Sequence, residues 1–122
     1  MDSIREMALQ AAELLDDKKG QRISILDVRG MCAIADYFVI ASGTSDRHAK
    51  ALAESVEDGL AKQGIRAKNK EGHREANWII LDYLDVVVHV FRQEQRDYYS
   101  LERIWRDARQ VELNLDSVSK SI

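Results

Sequence analysis

Length and composition describe one globular domain with a slightly acidic charge. The chain has 122 residues, 45% hydrophobic and 32% charged, which is typical of a folded domain rather than a disordered chain. Lysine and arginine number 18 against 21 aspartates and glutamates, and this net charge of −3 argues against strong non-specific binding to nucleic acid or an anionic membrane. The single cysteine, Cys32, excludes an internal disulfide and a cysteine-based zinc finger. The sequence contains neither a secretory signal nor an apolar run of membrane-spanning length, so we expect a cytoplasmic protein.

The first part of the chain predicts a helix followed by two strands. Apolar residues at helical spacing indicate the buried stripe of an amphipathic helix; they are Ile4, Met7, Ala8, Ala11, Leu14 and Leu15. Gly20 is predicted to end this helix in the left-handed conformation. Ile23–Val28 is rich in β-branched residues and predicts a strand, and the apolar run Tyr37–Ala41 predicts a strand covered on both faces.

The middle of the chain predicts a second helix, a short strand and a hairpin. The helix is expected at about Asp46–Lys62, and the alternating segment Ile65–Lys70 predicts the short strand. Asn77–Leu81 and Asp85–Phe91 predict the two antiparallel strands of a hairpin, because only a few residues separate them. Leu84 occupies the connecting turn, where glycine would be expected.

After the hairpin the pattern becomes helical again. The apolar face is formed by Tyr98, Leu101, Ile104, Trp105 and Ala108. The predicted order is therefore α-β-β-α-β-β-β-α, which indicates an α+β (α/β) fold with a mixed sheet of about five strands and helices packed on its faces. Residues 1–110 are expected to form the single domain, and the polar segment 111–122 a flexible C-terminal tail.

Patterns of catalytic or metal-binding residues are weak in this sequence. The loop Ser42–Ser45 precedes a helix but lacks the spacing of a P-loop or a dinucleotide fingerprint, so a capped turn is favoured over an anion site. Nucleotidyl transfer needs carboxylates that converge on divalent metals, whereas Asp82 and Asp85 lie on either side of a turn and are interpreted as turn residues. His89, flanked by valines, is interpreted as a hydrogen-bonded sheet residue. We predict no catalytic residue, no metal and no cofactor.

Two groups of side chains are candidates for partner binding. Trp78 begins a strand after a polar loop, and a contact and a core position are equally supported for it. Tyr83 and Leu84 lie at the hairpin tip, where side chains are usually exposed, and a contact is favoured because aromatic residues dominate interface hot spots. A basic cluster is either a solvated face, which is favoured, or a patch that touches nucleic-acid phosphates. Its members are Lys62, Arg66, Lys68, Lys70 and Arg74.

Several motifs spread along the domain carry a family resemblance. They are Ala35–Ile40, Ser42–His48, Glu71–Gly72, Trp78–Asp82, Asp85–Phe91, Arg96, Tyr98–Tyr99, Leu101–Glu102 and Trp105. In this order they closely resemble the ribosomal silencing factor family, also called Iojap-like or RsfS, over about Ile4 to Ala108. The resemblance implies a fold akin to that of nucleotidyltransferases without their catalytic carboxylates, and hence a protein that is not an enzyme.

The resemblance also implies a function. Members of this family bind large-subunit ribosomal protein fourteen on the face of the large (50S) subunit that meets the small (30S) subunit. They block subunit joining and repress translation when nutrients are limited. The docking surface lies around the Trp78 strand and the following hairpin, with Trp78 and Tyr83 as anchors and Leu84, Asp82 and Asp85 beside them.

One departure and several alternatives accompany this expectation. The family commonly has glycine where this chain has Leu84, so the hairpin tip is expected to differ in shape. Contact of Arg66, Lys68 and Lys70 with nearby ribosomal RNA is the alternative to a solvated basic face. The alternatives are an adaptor for large-subunit biogenesis at the same surface and a diverged metal-dependent nucleotidyltransferase that uses the Gly43 loop. A homodimer formed through exposed hairpin surface is a further alternative.

Overall fold

The structure, a computed structural model, describes residues 3–99, 103, 105–111 and 113. Its helices are α1 (Ser3–Asp17), α2 (Asp46–Ala61) and α3 (Gln93–Tyr99). Its strands are β1 (Gln21–Asp27), β2 (Tyr37–Gly43), β3 (Asn69–Glu71), β4 (Trp78–Asp82), β5 (Val86–Arg92) and β6 (Arg109–Gln110). The α+β class and the predicted order of elements are confirmed, and β6 is added after the last helix. That helix lies earlier than predicted, because it covers Gln93–Tyr99 whereas residues 105–107, which include Trp105, form a turn.

The strands of the described residues form one mixed sheet in the order β3-β4-β5-β2-β1-β6. β2 and β5 run parallel in the centre, and the remaining neighbours are antiparallel. Every residue of β2 is buried, which confirms that the apolar run from Tyr37 is a strand covered on both faces. β4 and β5 form the predicted antiparallel hairpin.

Helices α1 and α2 cover one face of the sheet and form the larger core with it. Alternate residues of the central strands point to this face, because successive side chains of a strand point to opposite sides. Fully buried examples are Leu15 and Leu52 from the helices and Val39, Ile79 and Val88 from the strands.

The opposite face carries a second, smaller core. Phe38, Ile40 and Phe91 are buried there, and Trp105 packs against them from the segment after α3. This cover lies over β1, β2 and part of β5, so the β3–β4 side of the same face keeps partly exposed apolar residues, among them Ile80.

Two boundary predictions were wrong for local reasons. Lys19, not Gly20, takes the left-handed conformation after α1, with φ 63°. Gly20 is instead required by close packing, because a Cβ there would lie 2.9 Å from the main-chain oxygen of Leu15. The predicted strand Ile65–Lys70 is shorter and lies later, at Asn69–Glu71, because Ile65 packs against the core instead of extending the sheet edge.

The end of the described chain is attached to the sheet. β6 pairs with the end of β1, and the Val111 N–H then donates to the Ile25 carbonyl oxygen at 2.9 Å. Val111 is buried in the larger core. Residues 112 and 114–122, most of the predicted tail, lie outside the described residues, so the boundary at 110 stays a prediction.

Candidate docking face of the sheet

The uncovered part of the second sheet face brings residues of several strands together. We call it the open face and define it by Ile34, Phe38, Asn69, Glu71, Trp78, Ile80, Asp82, Val87 and His89. Cross-strand pairing arranges them in rows: Glu71, Ile80 and His89 are successive partners across β3, β4 and β5. Asn69, Asp82 and Val87 form the next row. The pairing brings together side chains that are far apart in the sequence.

A pocket of about 230 Å³ lies in the middle of the open face. Its apolar lining includes Ile34, Phe38 and Ile80, and its polar lining includes Glu71 and Asp82. A second hollow of about 210 Å³ adjoins it along β4 and shares Glu71 and Ile80 with it. Such hollows between apolar side chains suit the protruding side chains of a protein partner.

Trp78 is half-buried and held in one orientation by its neighbours. Its ring stacks on Phe91 with centroids 5.1 Å apart, and its Nε1–H donates to His89 Nδ1 at 3.0 Å. The sequence left contact and core equally supported, and the structure gives Trp78 one buried side and one edge in the second hollow. An indole fixed in this way loses little side-chain entropy when a partner binds.

Gly72 makes this position of Trp78 feasible. Its φ of +78° is in the left-handed region, and a Cβ on Gly72 would collide with the Trp78 main-chain oxygen. The Ala76 N–H donates to the Gly72 carbonyl oxygen at 2.9 Å and closes the turn before β4. Glycine is therefore needed for both conformation and space.

His89 is a buried, uncharged residue beneath the open face. Burial lowers the pKa of His89 from 6.5 to about 4, so the imidazole is neutral at physiological pH. Since Nδ1 accepts from Trp78, the ring hydrogen is placed on Nε2. Phe38 packs edge-on against the ring at 4.9 Å, and no described residue forms a hydrogen bond with Nε2. The sequence-based interpretation of His89 as a hydrogen-bonded sheet residue agrees with this geometry.

Tyr83 differs from the sequence-based expectation. Its side chain is only 6% exposed and belongs to the larger core, so the expectation of an exposed ring at the hairpin tip was wrong. The reason is strand alternation: Tyr83 continues the series Ile79 and Leu81, whose side chains all point towards the helices. Burial, with a contribution from Glu57, raises the pKa of the Tyr83 hydroxyl to about 12.

Leu84 and Asp85 form the exposed hairpin tip. Leu84 is 53% exposed and has φ 74°, which explains why glycine is expected at this turn. The Asp82 side chain stabilises the turn, because its Oδ1 accepts from the Leu84 N–H at 2.8 Å. The Asp85 carbonyl oxygen accepts from the N–H groups of Asp36 and Tyr37, which joins the tip to the β1–β2 loop.

The β1–β2 loop contributes apolar surface that sequence reasoning missed. Ile34 is 78% exposed and lines the pocket of the open face. The sequence did show an apolar residue, Ile34, in the loop between Cys32 and Asp36. Only the parallel pairing of β2 with β5, however, shows that this loop lies beside the hairpin. Phe38 and His89 likewise join the site only through strand pairing, whereas Ile80 shares one face of β4 with Trp78 and Asp82 and could have been identified from strand alternation.

The basic cluster lies on the other side of β3. Arg66, Lys68 and Lys70 line a separate hollow with Glu57 of α2, and Lys70 Nζ lies 3.3 Å from the Glu57 carboxylate. Alternation along β3 thus places Lys70 on the helix side and Glu71 on the open face, while Asn69 lines both hollows. The basic cluster and the residues of the open face therefore come together only at the edge strand β3.

The loop before α2 is a capped turn whose polar groups are used internally. Ser45 Oγ accepts from the His48 N–H at 3.1 Å, and the Thr44 N–H donates to His48 Nδ1 at 2.9 Å. Among the described residues, no histidine, cysteine and carboxylate group has the arrangement of a metal site. The same part of the chain contains no helix with the length and apolarity needed to span a membrane.

By fold, the chain is an α+β domain with helices α1 and α2 on one sheet face and a partly open second face. A family model described as "Ribosomal silencing factor during starvation" (RsfS) matches residues 1–121. Ribosomal silencing factor RsfS of Bacillus subtilis is 43% identical over 104 residues, covering 85% of this chain and 88% of that protein. RsfS of Halalkalibacterium halodurans is 40% identical over 111 residues, covering 91% and 95%. The chain belongs to the ribosomal silencing factor family.

Solved structures give the same relationship. A crystal structure of a Chromobacterium violaceum protein has a TM-score of 0.83 at 36% identity and covers 94% of each chain. A Bacillus halodurans structure has a TM-score of 0.77 at 35% identity, covering 93% of this chain and 100% of that one. The family resemblance read from the sequence motifs is therefore confirmed.

Proposed function

We propose that this protein binds the large ribosomal subunit through its open face and prevents the small subunit from joining. Its partner is large-subunit ribosomal protein fourteen, and the consequence is repression of translation in the cytoplasm when nutrients are limited. Membership of a silencing-factor family supports the role. The observation that carries the docking surface is the apolar hollow beside a fixed indole, on a face that the protein's own helices leave partly uncovered.

Apolar anchors are available at both ends of this surface. Trp78 lies at one end, and Ile34 and Leu84 are exposed at the other. Tyr83 is replaced as an anchor by these aliphatic residues, because its ring faces the larger core. A standard interface of roughly 800 Å² per partner with a few such anchors gives stable binding.

Charge favours a basic protein as the partner. The open face and hairpin tip carry the carboxylates of Glu71, Asp82 and Asp85, which steer a positively charged surface into register more than they add affinity. The mechanism is steric: a domain bound on the joining face excludes the other subunit, and no covalent bond is made or broken.

The basic cluster supplies a second contact at the edge of the same surface. Arg66 and Lys68 lie across β3 from the open face, where ribosomal RNA phosphates would adjoin a docked domain. Replacing both with glutamine is expected to weaken binding to whole subunits but not to the isolated ribosomal protein.

The test compares two charged substitutions in one loop. Ile34→Asp adds a carboxylate to the open face, and Met31→Asp adds one to a hollow beside β1 and β6 that is not part of it. Both residues are exposed, so neither change should unfold the protein. With purified subunits on a sucrose gradient, wild type and Met31→Asp should block joining and Ile34→Asp should not. Unimpaired joining at saturating wild-type protein would refute the function, and equal activity of the two variants would refute the surface.

A further inference from the structure

The open-face pocket contains a hydrogen-bond donor that the free protein does not use. His89 lines this pocket and is only 5% exposed. Its ring is neutral, and its Nδ1 accepts from the Trp78 Nε1–H at 3.0 Å, so the ring hydrogen is on Nε2. Nε2 is buried and has no hydrogen-bond partner among the described residues. A buried donor without a partner is uncommon in folded proteins, so this N–H calls for an acceptor from outside the chain.

The surroundings of this donor are apolar on one side and acidic on the other. Phe38 packs edge-on against the imidazole, with ring centroids 4.9 Å apart, and Ile80 is its cross-strand neighbour. Glu71 and Asp82 line the same pocket, and neither of them forms an ion pair with another described residue. The pocket therefore combines one buried donor, apolar surface and carboxylate acceptors.

The position of these groups requires an acceptor that enters the pocket on a side chain. Nε2 lies below the surface, where a main-chain carbonyl group of a flat partner surface does not reach. Glu71, Ile80 and His89 are successive partners across three strands, and neighbouring strands lie about 4.8 Å apart. One hydroxyl oxygen is poorly placed to contact both ends of this row, whereas a carboxamide carries its acceptor and its donor on separate atoms.

The charge of the pocket excludes the other classes of side chain. A carboxylate would accept from the Nε2–H but would be repelled by Glu71 and Asp82. Lysine and arginine have no acceptor atom. A purely aliphatic side chain would remove water from the pocket and leave the Nε2–H of His89 without a partner.

We propose that this pocket receives one carboxamide side chain, glutamine or asparagine, of the protein partner. Its amide oxygen accepts from the His89 Nε2–H, its amide nitrogen donates to the Glu71 carboxylate, and its stem packs against Phe38 and Ile80. The pocket volume of about 230 Å³ has room for such a side chain. The inference rests on the proposed function and deepens it, since it names the residue chemistry that the docking face selects.

The first test removes the Nε2–H donor and keeps an acceptor for Trp78. His89→Asn offers an oxygen to the Trp78 N–H but ends short of the Nε2 position. Its matched control is Val88→Ala, which creates a cavity on the helix side of the same strand and leaves the pocket unchanged. Binding to purified large-subunit ribosomal protein fourteen is measured by calorimetry at a temperature where both variants are folded. We expect about tenfold weaker binding for His89→Asn and less than about a twofold change for Val88→Ala. Equal affinities of the two variants would overturn the inference.

The second test uses the wild-type protein, so it does not depend on the folding of a variant. The His89 Nε2–H proton is followed by NMR with isotope-labelled histidine while the ribosomal protein is added. A new hydrogen bond to an amide oxygen should move this resonance downfield and slow its exchange with solvent, which a purely structural role of His89 would not do. An unchanged resonance in the saturated complex would overturn the inference and leave the proposed function intact.

A double-mutant cycle then identifies the occupant. Each glutamine of the ribosomal protein is replaced by methionine and each asparagine by leucine, one at a time, which preserves an apolar stem. One position should lose about tenfold in affinity for wild type but much less for His89→Asn. Absence of a coupled glutamine or asparagine would overturn this inference alone, whereas absence of binding by wild type would overturn the proposed function.

Discussion

The buried imidazole of His89 makes the stability of the fold depend on pH in a defined window. The pKa of His89 is lowered from 6.5 to about 4 by burial, so between these values the unfolded chain binds a proton that the folded chain excludes. Stability is therefore greatest above the unfolded pKa and falls as the pH falls towards about 4. Protonation would also turn Nδ1 into a donor and break the hydrogen bond from Trp78 Nε1–H, which is 3.0 Å long.

The magnitude follows from the size of this window. Lowering the pH from about 7 to about 4.5 should cost about 2 kcal/mol of unfolding free energy through His89 alone. The assay is urea denaturation at a series of pH values for wild type and for His89→Asn. Asparagine offers an oxygen to the Trp78 N–H but does not titrate, so other groups contribute equally to both curves. The difference in stability between the proteins should narrow by about 2 kcal/mol towards acid pH. If the free energies of unfolding of the two proteins changed equally with pH, the proposed contribution of His89 would be refuted.

Three further substitutions test individual positions. Tyr83→Phe removes a buried hydroxyl that has no partner among the described residues and should leave unfolding free energy and ribosome binding nearly unchanged. Tyr83→Ala, by contrast, should lower the free energy of unfolding by about 3 kcal/mol in the same denaturation assay, because it leaves a cavity in the larger core. A loss of ribosome binding in Tyr83→Phe would contradict the assignment of Tyr83 to the core. Leu84→Gly removes the strain of a side chain at a φ of 74° and should raise the free energy of unfolding by up to about 1 kcal/mol. A lower melting temperature in this variant would contradict the prediction. Gly72→Ala should lower the free energy of unfolding by at least about 2 kcal/mol and shift Trp78 fluorescence, because the new Cβ would collide with the Trp78 main-chain oxygen. An unchanged emission spectrum would show that the turn adapts to the alanine.

Local patterns were sufficient for most of the fold. The hairpin and both long helices follow from periodicity, and the doubt about Leu84 at the turn agrees with its positive φ. The strand β6 was not predicted, because two residues carry no periodic signal and their pairing depends on β1. Tyr83 was placed outside the core because the turn was read as starting one residue too early.

The site was only partly predictable for a different reason. The sequence placed Trp78 and Asp82 on one surface, and the structure shows that they share one face of β4. Ile34 and His89 join them only through pairing of β2 with β5 and of β4 with β5, which connects distant parts of the sequence. No local pattern contains that information.

The short outer strands have a consequence for how the free protein avoids aggregation. In the described part of the chain, the sheet ends with β3 at one edge and β6 at the other, and these have only 3 and 2 residues. β6 pairs only with the last two residues of β1, and a register irregularity between Gln21 and Ser24 interrupts the rest of β1, so this edge of the described sheet offers no long regular row of main-chain groups to another copy. The protein can therefore expose an apolar sheet face while its short and irregular edges disfavour growth of an intermolecular sheet.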